Sequence, residues 1–86
     1  MNYYILKPKE SINRTVSPWY NVCNVVIEYY IQAFDERDAR IMAAKDSGEE
    51  GVDVWLSPDY TNCREVDYVT DGDRSKIILR NVREEI

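Results

Sequence analysis

The sequence predicts one small α+β domain, spanning 1–86, with the element order β-β-α-β-β and one helix packed on a mostly antiparallel sheet. Three observations predict this class: a stretch with period-two alternation, a following stretch with helical spacing, and an Asp-Gly pair between two apolar runs. With 86 residues, 44% of them hydrophobic, the chain can bury only one core.

The first predicted strand runs from Asn2 to Leu6, where β-branched and aromatic residues dominate. Lys7-Pro8 stops it because proline donates no hydrogen bond to a ladder. A long polar connection from Lys9 to about Asn21 follows and ends in Pro18-Trp19-Tyr20. We expect Trp19 to fold back over the core, the alternative being an exposed binding residue.

The second predicted strand, Val22 to Ala33, is the clearest one, because its residues alternate between two faces. One face is predicted to carry Val25, Ile27, Tyr29, Ile31 and Ala33, and the other Val26, Glu28, Tyr30 and Gln32.

A helix is predicted from about Glu36 to Asp46, with Asp35 as its N-cap and Asp38 at the N3 position. The spacing of Ala39, Met42 and Ala43 forms a small apolar face that can lie close to the sheet. The helix should end near Ser47-Gly48, where we expect the glycine to take the left-handed conformation.

The segment from Gly48 to Asn62 is predicted to be mostly loop, with Val52 to Leu56 as a candidate extended edge and with Trp55 and Leu56 plugging the core. The last stretch is predicted to be a hairpin. Its strands would be Arg64 to Thr70 and Lys76 to Val82, joined by a tight turn at Asp71-Gly72 with Gly72 at positive φ.

Negative charge is concentrated in the 28 residues from Asp46 to Asp73, where nine carboxylates against the single base Arg64 give a local charge of −8. The whole chain carries −5. Such a surface repels nucleic acid and attracts basic surfaces. The aromatic residues within this segment are of the kind that anchors interfaces. The candidate partner-binding residues are Glu49, Glu50, Asp53, Trp55, Asp59 and Tyr60.

Catalysis and metal binding find little support in the sequence. The chain has no histidine, so the usual triads and the commonest metal ligand are missing. No glycine-rich phosphate loop is present. The segment from Asp46 to Asp53 lacks the ligands of a calcium loop at two essential places. Cys23 and Cys63 cannot complete a zinc site by themselves, and we expect both to be reduced and buried. We therefore predict no catalytic residues, no cofactor and no metal.

Localisation and ligand alternatives follow from the same composition. No apolar run is long enough to span a membrane and the N-terminus does not resemble a signal peptide, so a cytoplasmic location is expected.

An alternative function is suggested by the basic residues near the two ends, which would form a positive face if the first and last strands lie close together. That face would bind a small anionic ligand such as a nucleotide, in a protein that is a homodimer or higher oligomer. These residues are Lys7, Lys9, Arg14, Arg74, Lys76, Arg80 and Arg83.

Several short motifs occur together between about residues 3 and 66. They are Leu6-Lys7-Pro8, Pro18-Trp19-Tyr20, Ala39-Arg40, Ala43-Ala44, Gly48-Glu49-Glu50-Gly51, and the run Trp55-Leu56-Ser57-Pro58 with Thr61-Asn62-Cys63. In this combination the chain resembles a group of short, uncharacterised bacterial and phage proteins with no established activity. The resemblance implies a bacterial or phage setting and assigns no catalytic residue.

The sequence therefore predicts a non-enzymatic acidic binding module that engages a basic, nucleic-acid-binding protein and does not bind nucleic acid or membranes itself. In a phage setting, the concrete form is an inhibitor of a host defence complex such as a CRISPR effector, acting as a nucleic-acid mimic. A convex acidic face would favour this reading. A concave site with converging basic and aromatic residues would favour the anionic-ligand alternative.

Overall fold

The computed structural model describes residues 1–9, 18–19, 23–67 and 74–83. It contains four strands and two helices in chain order: β1 (Asn2–Pro8), β2 (Val25–Ala33), α1 (Glu36–Asp46), α2 (Asp53–Leu56), β3 (Thr61–Val66) and β4 (Lys76–Arg83). This confirms the α+β class and the order β-β-α-β-β, with the single turn of α2 added before β3. The segment from Val52 to Leu56 is thus helical, and the expectation of an extended edge there is wrong.

The four strands form one antiparallel sheet in the order β3-β1-β2-β4. β3 pairs with β1, placing Cys63 opposite Leu6, and β4 pairs with β2, placing Arg80 opposite Tyr29. The predicted hairpin between the last two strands is wrong, because these strands lie at opposite edges of the sheet. An Asp-Gly signal reports only on a local turn, whereas each strand here pairs with a strand distant in sequence. Asp71-Gly72 lies outside the described residues.

A β-bulge in β2 changes the predicted alternation. Val26 pairs with Val82 and Glu28 with Asn81, so Ile27 is an extra residue, and its side chain is 39% exposed. Beyond the bulge the predicted inner face is confirmed, since Tyr29, Ile31 and Ala33 are fully buried. On the other face Gln32 is buried as well, and its Nε2 donates to the Arg74 carbonyl at 2.7 Å.

Helix α1 begins and ends at the predicted residues. Asp35 is the N-cap, and its carboxylate accepts a 2.8 Å hydrogen bond from the Asp38 amide. Ala39 and Ala43 are fully buried against the sheet, while Met42 packs at the margin of the core. These small side chains let the helix lie close to the strands, as predicted.

The C-terminal end of α1 differs from the prediction. Ser47 is the C-cap, and both its backbone amide and its hydroxyl donate to the Ala44 carbonyl. Gly48 does not adopt a positive φ, which among the described glycines is found at Gly51. Glycine is instead needed at position 48 because a Cβ there would collide with the backbone carbonyl oxygen of Asn24.

Three aromatic rings form the centre of the core. Trp55 packs edge-to-face against Tyr29 with ring centroids 4.8 Å apart, and against Trp19 with centroids 5.9 Å apart. Each such pair contributes roughly 0.5–1.5 kcal/mol beyond its buried area. The Trp19 indole donates to the Val26 carbonyl at 2.9 Å. The prediction that Trp19 folds back over the core is therefore confirmed.

Candidate protein-binding surface around the second helix

The segment 49–60, which we name the α2 platform, connects α1 to β3 and contains all six predicted partner-binding residues. Four of them are exposed, and they are Glu49, Asp53, Asp59 and Tyr60. Glu50 is only 5% exposed and Trp55 is fully buried. Placing these two among the contacts with a partner was wrong, because neither side chain reaches the surface.

Glu50 is buried because three donors within the fold satisfy its carboxylate. Oε1 accepts from the Val26 amide at 2.9 Å and from the Gly48 amide at 3.1 Å. Oε2 accepts from the Trp55 indole at 2.6 Å. Hydrogen bonds to an ionised acceptor are about twice as strong as neutral ones. Glu50 therefore ties the platform to the start of β2.

Arg40 on α1 holds the backbone of Trp55. Its Nη1 donates to the Trp55 carbonyl at 3.1 Å and to the Thr61 hydroxyl at 2.9 Å, and its Nη2 donates to the Thr61 carbonyl at 3.0 Å. Its Nε pairs with Glu36 at 2.8 Å. The Thr61 hydroxyl in turn donates to the Val54 carbonyl at 2.9 Å. Neither Arg40 nor Thr61 was predicted as a site residue, since the burial of a polar residue depends on partners that are distant in the sequence.

These contacts explain why a helix as short as α2 is ordered. A single helical turn is unstable alone, because nucleation fixes several residues for one hydrogen bond. Here a buried carboxylate bonds the side chain of Trp55 and a buried guanidinium bonds its backbone, and together they fix the inner side of the platform. The outer side is consequently presented on a defined backbone.

The outer side of the platform combines apolar and acidic side chains. Val52, Leu56 and Tyr60 are 51%, 46% and 41% exposed, so the expectation that Leu56 plugs the core is wrong. Val52 and Leu56 are four residues apart and lie on one side of the helical turn. An apolar centre with a polar rim is the usual anatomy of a protein interface.

The acidic side chains of the platform are available to a partner. Glu49, Asp53 and Asp59 are exposed, and none of them makes an ion pair with another residue in the described ranges. Asp46, at the N-terminal boundary of the acidic segment, is by contrast engaged, since its carboxylate pairs with Arg80 at 2.8 Å. The segment from Asp46 to Asp73 thus contains two kinds of carboxylate, those bonded within the fold and those exposed to solvent.

A shallow groove separates α1 from the platform. It is lined by Glu36, Arg37, Arg40, Ile41, Leu56 and Pro58. The Arg40 guanidinium already bonds Glu36, Trp55 and Thr61. None of the described residues that line the groove is aromatic, so they provide no ring on which a nucleotide base could stack.

The basic residues of the two ends do not converge in the part of the chain that the structure describes. β2 separates β1 from β4. Lys7 pairs with Glu28 at 3.1 Å on the face of the sheet away from α1, whereas Arg80 pairs with Asp46 of α1. The two cations therefore lie on opposite faces. Arg14 lies outside the described residues.

The two cysteines are free and half-buried, so the expectation of full burial is not met. Burial, and to a smaller extent the neighbouring Glu36 carboxylate, raise the pKa of the Cys63 thiol to about 12. Cys63 therefore carries a neutral thiol near pH 7, whereas a thiolate is the reactive form. Within the described ranges, no three residues among His, Cys, Asp and Glu are arranged to hold a metal ion.

Comparisons of the chain with protein-family models, with curated proteins and with solved structures find no match. The resemblance to short bacterial and phage proteins therefore remains a hypothesis. Across the described residues, neither helix has the length and apolar character needed to cross a membrane.

Proposed function

We propose that this chain is a non-enzymatic binding module whose α2 platform docks onto a basic surface of a partner protein. One observation carries the proposal: three exposed carboxylates without an ion pair among the described residues share a segment with exposed apolar side chains. The carboxylates are Glu49, Asp53 and Asp59, and the apolar residues are Val52, Leu56 and Tyr60.

The fixed inner side of the platform supports this function energetically. Ordering flexible side chains and loops is one of the main costs of association, and a preorganised surface avoids part of that cost. Glu50 and Arg40 hold the platform before any partner arrives. The exposed apolar side chains then supply buried area, while the carboxylates attract a positive surface and accelerate encounter.

A basic surface that normally binds nucleic acid is the partner class that fits best. Lysine and arginine clusters that contact phosphates present the complementary charge. A protein that covers such a cluster with carboxylates competes with nucleic acid for it. In this form the module acts as an inhibitor, in keeping with the phage-type inhibitor expected from the sequence.

The anionic-ligand alternative has no specific observation in its favour. It needs basic and aromatic side chains that converge in a concave site. Lys7 and Arg80 lie on opposite faces of the sheet, and each is already paired with a carboxylate.

The test is affinity capture from a bacterial lysate, followed by binding measurements with the purified captured protein. The double variant Glu49→Gln, Asp53→Asn removes two platform carboxylates. The control Glu65→Gln, Asp67→Asn removes one Glu and one Asp that are exposed near the other end of β3, so the net charge changes equally. We expect the captured protein to be basic and displaceable by nucleic acid, and the platform variant alone to weaken binding about tenfold, or 1.4 kcal/mol.

Two outcomes would contradict the proposal. Equal weakening by both double variants would mean that overall charge, and not the platform, governs binding. A captured protein that binds nucleic acid and this chain simultaneously would exclude competition for one basic surface.

A further inference from the structure

The outer edge of β4 is a second surface that the proposed function does not use. In the described sheet β4 lies at one edge and has β2 as its neighbour. No other described strand pairs with the backbone groups on its outer side. Folded proteins usually either protect such an unpaired edge or use it for binding. Three apolar side chains of this strand are substantially exposed. They are Ile78, Leu79 and Val82, at 43%, 45% and 38%.

The described residues of this edge carry charge of one sign, and the next residues along the chain, Glu84 and Glu85, lie outside the described ranges. The segment 74–83 contains the cations Arg74, Lys76, Arg80 and Arg83 and no carboxylate. Arg80 is paired with Asp46. Arg74 and Lys76 are exposed, and neither makes an ion pair with another described residue. The opposite edge, β3, differs because it carries both Arg64 and Glu65.

The charges and exposed apolar side chains of β4 favour one kind of binding partner over the others. Two β4 strands paired about a two-fold axis at the centre of the strand would place Lys76 of each copy close to Arg83 of the other, and like charges in cross-strand positions are destabilising. Nucleic acid would match the charge but would leave the backbone hydrogen-bonding groups and the exposed apolar side chains unused. An extended acidic peptide matches the positive charge, the backbone hydrogen-bonding groups and the exposed apolar side chains, because β-strand addition combines main-chain pairing with side-chain complementarity.

The bulge in β4 sets the register available to such a peptide. Tyr30 pairs with Leu79 and Ile31 with Ile77, which leaves Ile78 as an extra residue. Bulges locally disrupt a ladder. The regular edge therefore runs from Leu79 toward Arg83, with Arg74 and Lys76 beyond the bulge as a separate cationic end.

We propose that the outer edge of β4 binds an extended acidic peptide segment as an additional strand of the sheet. The peptide pairs with the backbone between Leu79 and Arg83, its apolar side chains contact Leu79 or Val82, and its carboxylates lie near Arg74 and Lys76. This site is separate from the α2 platform, so an experiment that contradicts one of the two proposals does not contradict the other.

The experiment uses the full chain and a fluorescein-labelled, end-capped heptapeptide of alternating glutamate and valine. Fluorescence anisotropy should show saturable binding that weakens as salt increases. The variant Arg74→Glu, Lys76→Glu should bind about tenfold more weakly. The control Arg37→Glu, Lys45→Glu reverses two exposed cations on α1 and should bind within about twofold of the parent, because exposed charges away from an interface contribute little.

A second peptide, N-methylated at every residue, keeps the charge but has no main-chain N–H group to donate to a strand, and we expect it not to bind. Amide hydrogen exchange of the parent supplies a readout that does not depend on the variants, since the peptide should slow exchange between Leu79 and Arg83. Binding of the methylated peptide with undiminished affinity would overturn the proposal. So would unchanged exchange at saturating peptide, or a β4-mediated dimer that the acidic peptide does not dissociate.

Discussion

The Oε2 atom of Glu50 lies 2.6 Å from the indole Nε1 of Trp55, inside the core of the domain. Both residues belong to the most acidic part of the chain, yet neither is accessible at the surface. The carboxylates between residues 46 and 73 thus have different environments. Glu50 organises the backbone of the α2 platform from inside, whereas Glu49, Asp53 and Asp59 are exposed.

Removing the Glu50 carboxylate should strongly destabilise the fold. Glu50→Ala leaves the donors of Val26, Gly48 and Trp55 without their acceptor, and each unsatisfied buried donor costs about 1–3 kcal/mol. We expect the free energy of unfolding in urea to fall by at least about 3 kcal/mol. Glu50→Gln keeps one acceptor oxygen and should lose less. The exposed neighbour Glu49→Ala is the control and should stay within about 0.5 kcal/mol of the parent. Equal effects at the two positions would contradict the assignment.

Arg40 should not be replaceable by lysine. A lysine keeps the positive charge but lacks the planar set of donors that reaches Glu36, Trp55 and Thr61 together. We expect Arg40→Lys to lower the free energy of unfolding by about 2–4 kcal/mol, since it leaves buried carbonyl and hydroxyl groups poorly satisfied. Arg37→Lys, three residues earlier and exposed, should leave it unchanged. A thermal melt of Arg40→Lys that coincides with the parent would show that only the charge matters.

Gly48 and Gly51 should respond differently to alanine. At position 48 a Cβ meets the backbone carbonyl of Asn24, which cannot rotate away. Gly48→Ala should therefore cost about 2–3 kcal/mol of stability through overpacking. Gly51 has a φ of +91° and open space around it, so Gly51→Ala should cost only about 1 kcal/mol of backbone strain. Urea denaturation measures the loss of stability in each variant. A larger loss for Gly51→Ala than for Gly48→Ala would contradict the contact with Asn24.

The half-buried Cys63 should make stability decrease in alkaline solution. Burial raises the pKa of its thiol from 9.0 to about 12, so the folded state holds the proton more tightly than the unfolded chain. The stabilisation is complete below pH 9 and is lost as the pH rises toward 12. Between pH 9 and pH 10, the free energy of unfolding of Cys63→Ala should fall less steeply than that of the parent. Parallel pH profiles would show that the thiol does not contribute.

The sequence was most informative where the determinants are local. The N-cap at Asp35 and the alanine face of α1 specify the helix within a few residues, and the alternation from Tyr29 to Ala33 marks the inner face of β2. These features do not depend on distant parts of the chain. Both were predicted correctly for that reason.

Long-range features could not be read in the same way. The opposite-edge positions of β3 and β4 depend on their pairing with β1 and β2, respectively, which an Asp-Gly turn does not encode. The burial of Glu50 depends on donors from Val26 and Trp55 that only the folded chain brings together. For the candidate site, composition identified the acidic segment but could not separate its inner residues from its outer ones.

The most direct test of the proposed docking surface is the association rate constant with the captured basic partner, measured by stopped-flow fluorescence at about 0.05 M and about 0.5 M salt. Charges at an interface rim act chiefly on association. The account predicts that Glu49→Gln, Asp53→Asn slows association about tenfold at low salt, that the difference disappears at high salt, and that Glu65→Gln, Asp67→Asn has little effect. Identical association rates for the parent and the platform variant at low salt would contradict it, leaving the acidic residues as a solubilising surface only.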